Sequence, residues 1–264
     1  MNYAAEYTDK VLSGEIVACK KIKQAARRYR RDLKASKRKK NPWPYYFDED
    51  FANKAIKFIE LMPARDGSPL KLELYQKWLV AELFGWRDKA TGNRRYDRAY
   101  ISMARKNGKS YLMACLGALY LLRENKPAMN RECVYTANSN SQAHLAFDML
   151  SSGLRQVSKV SESVRDRLKI NRNEIIDLQS NSRAVPLASD LHSLDGYQSD
   201  LAIIDEFALA RNDEILRTLK SGQINSENSL LAVISTTGPD LNGPMYKEYK
   251  FVSKVLTGRE QADR

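Results

Sequence analysis

The stretch that decides the reading of this chain is Ala99-Tyr100-Ile101-Ser102-Met103-Ala104-Arg105-Lys106-Asn107-Gly108-Lys109-Ser110. Its apolar start reads as a strand, and Met103 to Ser110 reads as a loop that cradles phosphates. In the pattern G-x-x-x-x-G-K-[ST], backbone N–H groups surround the phosphates, the lysine reaches the β/γ oxygens and the hydroxyl ligates Mg²⁺. Gly108, Lys109 and Ser110 satisfy it, whereas Met103 stands where the first glycine belongs. Taken alone, the string is also compatible with a chance G-K-S.

A second stretch removes that ambiguity. Leu201-Ala202-Ile203-Ile204-Asp205-Glu206 is an apolar run ending in two carboxylates. A buried strand of this kind delivers an Asp that holds Mg²⁺ and a Glu that orients water. By itself the run is equally a core strand meeting a solvated loop. Both motifs, strand-borne and in this order, predict a nucleotide-hydrolysing site. Lys109 is expected on the β/γ phosphates, Ser110 and Asp205 on Mg²⁺, and Glu206 on the attacking water. Arg105 and Lys106 lie inside the loop, and an arginine there stabilises charge on a transferring phosphoryl group unless it is simply an exposed loop residue.

Around these motifs the pattern alternates. Strands are predicted near 97–103, 132–137, 174–178, 183–188, 200–205 and 229–235, with helices at 109–123, 141–157 and 212–221. Such interleaving gives an α/β fold with a mainly parallel sheet flanked by helices on both faces. Upstream, Ile16 to Leu33 reads as a basic helix with a charged tail to Lys40, broken by Asn41-Pro42-Trp43-Pro44. Asp48 is placed to cap a helix carrying Phe51, Ala55, Phe58, Ile59 and Met62, Pro63 to Pro69 is a loop, and Leu72 to Trp86 has helical spacing. The expected division is a basic helical arm and linker over 1–47 and an ATPase domain over 48–264.

Composition narrows the classes further. A chain of 264 residues buries roughly three quarters of its extended surface, enough for a sizeable core. Cys19, Cys115 and Cys133 are odd in number and share no metal-ligand spacing, and His144 and His192 are far apart, so neither a disulfide framework nor a zinc site is expected. No apolar run approaches the ~20 residues of a membrane span, and the start of the chain, with Glu6 and Asp9, lacks a signal-peptide pattern. An intracellular protein without membrane contact is expected. Residues 1–40 hold thirteen Lys/Arg against four Asp/Glu, which is nine of the chain's twelve net positive charges. That segment suits nucleic-acid phosphates or an acidic partner, or is a solvated helix or disordered arm without one.

Two more strand exits carry polar residues. Leu230 to Ile234 ends in Ser235-Thr236-Thr237-Gly238, where a parallel sheet binds ligands or simply turns. Thr136-Ala137-Asn138-Ser139-Asn140-Ser141-Gln142 follows another strand and either touches a DNA backbone or caps the next helix.

Taken in order, Leu74-Tyr75-Gln76-Lys77-Trp78, Arg94-Arg95, Ala104-Arg105-Lys106-Asn107-Gly108-Lys109-Ser110, Ile203-Ile204-Asp205-Glu206 and Ser235-Thr236-Thr237-Gly238 closely resemble the large terminase subunit of tailed bacteriophages, in the lambdoid cos-type branch. The missing first glycine is usual in that family. The resemblance implies an additional-strand P-loop ATPase that uses ATP and Mg²⁺ to pump double-stranded DNA into a procapsid in the host bacterial cytoplasm. Its implied partners are the portal protein, the small terminase subunit and further copies in a ring. It matches Gln76 to the glutamine that reads adenine and Arg105 to the loop arginine, puts Lys106, Asn107 and Gly108 with Lys109 and Ser110 around the phosphates, and matches Thr236 and Thr237 to the motif coupling hydrolysis to movement.

Two departures stand out. The chain ends at Arg264, soon after the coupling motif, so ATP hydrolysis without the family's nuclease is expected. Asp195-Gly196 stands where many relatives carry an Arg-Gly finger, leaving Arg183, Arg211 and Arg217 as candidates for an arginine acting in trans. Two rivals remain at this stage: a helicase-like translocase, whose second motor lobe finds no room here, and a degenerate nucleotide-fold module that docks on nucleic acid through the basic segment.

Overall fold

A computed structural model describes residues 1–40, 42–64, 66–124, 126–187, 196–238 and 240–260. Asp195 of the Asp195-Gly196 pair, His192 and Ala188 lie outside the described residues. The chain divides into two units, one of Met1–Glu60, Lys71–Tyr96 and Tyr249–Arg264, the other of Leu61–Leu70 and Asp97–Glu248.

In the first unit, α1 (Tyr3–Ser13) starts on Asn2, whose side chain accepts from the Ala5 N–H at 2.9 Å. It ends on Gly14 at φ 91°, the left-handed cap that glycine supplies without strain. The basic helix α2 (Lys20–Ser36) begins and ends about a turn later than its sequence pattern suggests. It is no loose arm. Ala26, Tyr29, Asp32 and Ala35 recur on one face and are buried. Asp32, 4% exposed, takes Arg95 at 2.8 Å and Arg31 at 3.2 Å, so a carboxylate inside the cationic run fastens the helix down.

Next come β1 (Tyr45–Phe47), α3 (Glu49–Ile59), α4 (Leu74–Gly85) and β2 (Trp86–Asp88), with β1 and β2 antiparallel. Asp48 caps α3 through the Phe51 N–H at 2.8 Å, as its spacing predicts. The expected boundary at residues 47 and 48 falls between β1 and α3, inside this unit. Tyr29, Phe47 and Trp43 set their rings edge-on to Trp86, which gives the short β-ribbon a core of its own.

The second unit contains β3 (Arg98–Ser102), α5 (Lys109–Leu122), β4 (Glu132–Ala137), α6 (Asn140–Val160), α7 (Glu162–Arg167), β5 (Leu168–Ile170), β6 (Ile175–Asp177), β7 (Ser182–Leu187), β8 (Leu201–Asp205), α8 (Glu214–Gly222), β9 (Leu230–Ser235) and the start of α9 (Pro244–Thr257). Its seven-stranded sheet runs β3-β9-β8-β4-β7-β6-β5. The first five strands are parallel, while β6 and β5 are antiparallel additions at one edge. Every residue of β8 and β9 is buried, as continuous apolar runs covered on both faces require. Helix α5 is apolar all round and lies in the core, where Gly117 leaves room for the Tyr135 hydroxyl that a Cβ would strike.

One topological feature positions the site. β9 lies between β3, which feeds the glycine loop, and β8, which carries Asp205. This inserted strand is the additional strand expected from the resemblance. The register aligns Ser102 with Ser235, Ile234 with Asp205, and Asp205 with Ala137. Four strand ends therefore meet at one edge of the sheet, where open α/β sheets bind their ligands.

Candidate active site

The loop after β3 leads straight into the N-terminus of α5. Gly108 takes φ 73° and Lys106 φ 65°, both left-handed, which folds the chain back on itself before the helix starts. Asn107 keeps that shape, its amide donating to the carbonyls of Ala104 and Arg105 at 3.2 Å each. The first-turn N–H groups of α5 have no carbonyl one turn back within the helix, so they point a partial positive charge at the loop's concave side.

Lys109, the first residue of α5, is only 8% exposed, and its ammonium lies 3.1 Å from Glu206 Oε1. Ser110 donates from its hydroxyl to Asp205 Oδ2 at 3.0 Å. Thr236, just past β9, donates to Glu206 Oε2 at 3.3 Å. Lysine, serine, both carboxylates and Thr236 thus form one connected network. Burial pushes the Asp205 carboxyl above its ordinary value, against the hydrogen bond from Ser110 that holds it down.

Glu206 is itself unusual. It sits at φ 51° and ψ 41°, a left-handed conformation that costs an ordinary residue about 1–2 kcal/mol. Its carbonyl accepts from the Asn138 side chain at 2.8 Å and from the Leu209 N–H at 3.0 Å, and its own N–H donates to Asp205 Oδ1 at 2.8 Å. Ser235 fixes the turn that follows, accepting from the Ala208 N–H at 3.0 Å. Strain held by several partners at a strand exit is a mark of a working site.

The other expected residues separate. Arg105 and Lys106 are exposed on the loop, and Thr237 is exposed beside Thr236. Gln76 belongs to the other unit, where its Oε1 accepts from the Glu73 N–H at 2.9 Å and closes a capping box on α4. Of the three arginines proposed to act in trans, Arg183 is paired with Glu132 and Arg217 with Asp213, whereas Arg211 is exposed. The 136–142 segment behaves as a cap, Ser139 accepting from the Gln142 N–H at 3.3 Å. Asn138 is singled out by the sequence only as part of that capping or DNA-touching segment; its place beside Glu206 is not legible there, since it depends on β4 pairing with β8.

The donor set suits a Mg²⁺–nucleotide. One hydroxyl and one carboxylate match a cation that keeps most of its water and takes the rest from phosphate oxygens. A buried ammonium beside the helix N-terminus suits the phosphates themselves. Among the described residues no three His, Cys, Asp or Glu gather elsewhere as a metal site, and no helix is long and apolar enough to cross a membrane.

Residues 74–254 match the family described as terminase large subunit, ATPase domain. The large terminase subunit of Enterobacteria phage HK97 is 29% identical over 172 residues, covering 64% of this chain and 32% of that protein. The crystal structure of the HK97 large terminase superposes with a TM-score of 0.65 at 25% identity, over 78% of this chain and 42% of that one. The chain thus spans about a third of the length of the curated relative it matches.

Proposed function

This chain belongs to the terminase large subunit ATPase domain family, and from that premise we propose that it hydrolyses ATP with Mg²⁺ to drive double-stranded DNA into a procapsid. The observation that carries the reading is the network Lys109–Glu206–Thr236 beside Ser110–Asp205, assembled from three separate strand exits. Bound Mg²⁺–ATP supplies a phosphoryl group to transfer and a cation that neutralises its oxygens. With Mg²⁺–ATP bound, Lys109 would exchange its Glu206 partner for phosphate oxygens, and Ser110 and Asp205 would hold the cation. Released from Lys109, the Glu206 carboxylate turns to the attacking water, while the hydroxyl of Thr236 links that movement to β9. Arg105, on the exposed loop, is available to the transferring phosphoryl charge, and the resemblance to the family assigns Gln76 to the adenine.

Duplex DNA, the portal protein, the small terminase subunit and neighbouring copies in a ring are the partners, in the host bacterial cytoplasm. The family membership supports them, and for DNA so do the exposed cations Arg27 and Lys34 of α2 with Lys37 and Arg38 just past its end. The test is ATP turnover with and without Mg²⁺, followed by DNA uptake into procapsids that carry the portal. We expect turnover to vanish on chelation and uptake to require it. Turnover in excess chelator, or uptake without hydrolysis, would overturn the reading.

A further inference from the structure

We propose that Asn138 is a positioning residue for hydrolysis, acting through the Glu206 backbone. The inference rests on the reading of Glu206 as the group that orients water. Parallel pairing of β4 with β8 sets Ala137 opposite Asp205, so the next residue on each strand, Asn138 and Glu206, emerge side by side. There the Asn138 amide nitrogen donates to the Glu206 carbonyl at 2.8 Å.

Three features make that bond more than a loop contact. Glu206 occupies the left-handed region, which a glutamate leaves unless its peptide groups are held. Its N–H is tied to Asp205, and its carbonyl receives one bond from the turn that follows, at Leu209, and one from the neighbouring strand, at Asn138. Among the described backbone bonds of Glu206, the one from Asn138 refers it to a second strand of the sheet. The carboxylate meanwhile bridges Lys109 and Thr236, and both are groups that change partners if phosphates arrive. Once Lys109 turns to phosphate, the aim of the Glu206 carboxylate depends on its backbone. Asn138 is what keeps that backbone registered to the sheet.

Asn138 precedes Ser139, the cap of α6, so the same short segment joins the strand exit, the helix start and Glu206. A shift at the start of α6 would reach Glu206 through this one amide.

The test compares Asn138→Ala and Asn138→Asp with the unaltered chain and with Glu206→Gln, measuring kcat, KM for ATP, the equilibrium affinity of a fluorescent ATP analogue and the melting temperature. Asp keeps the size of Asn but presents oxygens to the carbonyl. Both Asn138 variants should lose about tenfold in kcat, with analogue affinity and melting temperature unchanged. An Asn138→Asp chain with normal kcat would show that the N–H donor is irrelevant and overturn the proposal. So would a loss in kcat that merely follows weaker binding or a lower melting temperature. If Glu206→Gln turns over normally, the water-orienting reading fails as well. If Glu206→Gln is inactive and both Asn138 variants are normal, only the present proposal fails.

Discussion

Lys109 and Glu206 lie 97 positions apart in the chain, and in the structure the lysine ammonium sits 3.1 Å from the glutamate carboxylate. The group expected to bind phosphate and the group expected to activate water therefore neutralise one another. If ATP phosphates take Lys109, they displace Glu206 from it, and phosphate binding and release of the carboxylate become a single event.

Loss of the lysine should thus be a binding defect. Lys109→Ala removes a charge-assisted bond to phosphate, and affinity for ATP should fall by about 10- to 100-fold. Titration with a fluorescent ATP analogue reads this directly, and undiminished affinity would remove Lys109 from the phosphate site.

Glu82 of α4 supplies a pH test in the other unit. Burial raises its carboxyl from the usual range to about 8, only partly offset by Arg95, Arg28 and Trp86, while Asp32 pushes it further up. A carboxyl whose pKa is raised on folding stabilises below its unfolded value and loses that contribution as pH rises through the folded value. Urea unfolding should therefore show the chain weakening from about pH 5 to about pH 8 and levelling off above that, and Glu82→Gln should flatten the decline. An equal decline in the variant would assign the effect to another group.

The α2 surface makes a quantitative prediction about DNA. Because Tyr29, Asp32 and Ala35 anchor the helix, deleting residues 1–40 would unfold the unit rather than test the charge. Neutralising Arg27, Lys34, Lys37 and Arg38 to Gln keeps the buried face intact. If these cations meet phosphates, binding to duplexes of unrelated sequence should weaken alike. The slope of log affinity against log salt should also become shallower by about 0.9 for each phosphate that is no longer neutralised. An unchanged slope would direct the patch to a protein partner.

The arginines divide by what already holds them. Arg183 and Arg217 are engaged by Glu132 and Asp213, so Arg211 is the better placed of the three to reach a neighbouring copy. Specific activity should rise with protein concentration, Arg211→Ala should remove the rise, and Arg105→Ala should lower turnover at every concentration. Fast turnover independent of concentration would leave Arg105 as the sole catalytic arginine.

Much of this is legible in the residues. The strand around Ala99 to Ser102, the loop to Ser110, and the strands ending at Asp205 and Ser235 are long apolar runs with clear stops, and periodicity finds such elements well. Three strands of three residues, β1, β2 and β5, escape it because a run so short carries no period. Helices α1 and α9 have no counterpart among the sequence expectations, although each is more than ten residues long. The basic run reads as a solvated or loose arm because one aspartate among so many cations gives no hint that Arg95, more than sixty positions on, will bury it. Asn138 is hidden for a related reason. Its role depends on which strand lies beside β8, and strand order is a property of the assembled sheet.

The most direct test of the account is a paired measurement on Glu206→Gln: ATP affinity and the rate of hydrolysis on the same preparation. Because glutamine no longer holds Lys109 as a charge partner yet keeps the side chain's size, affinity should be equal to or tighter than that of the unaltered chain. Hydrolysis should meanwhile fall by about 100-fold or more. Unimpaired hydrolysis, or a loss of ATP affinity as large as that of Lys109→Ala, would contradict the assignment of Glu206 to the water and Lys109 to the phosphates.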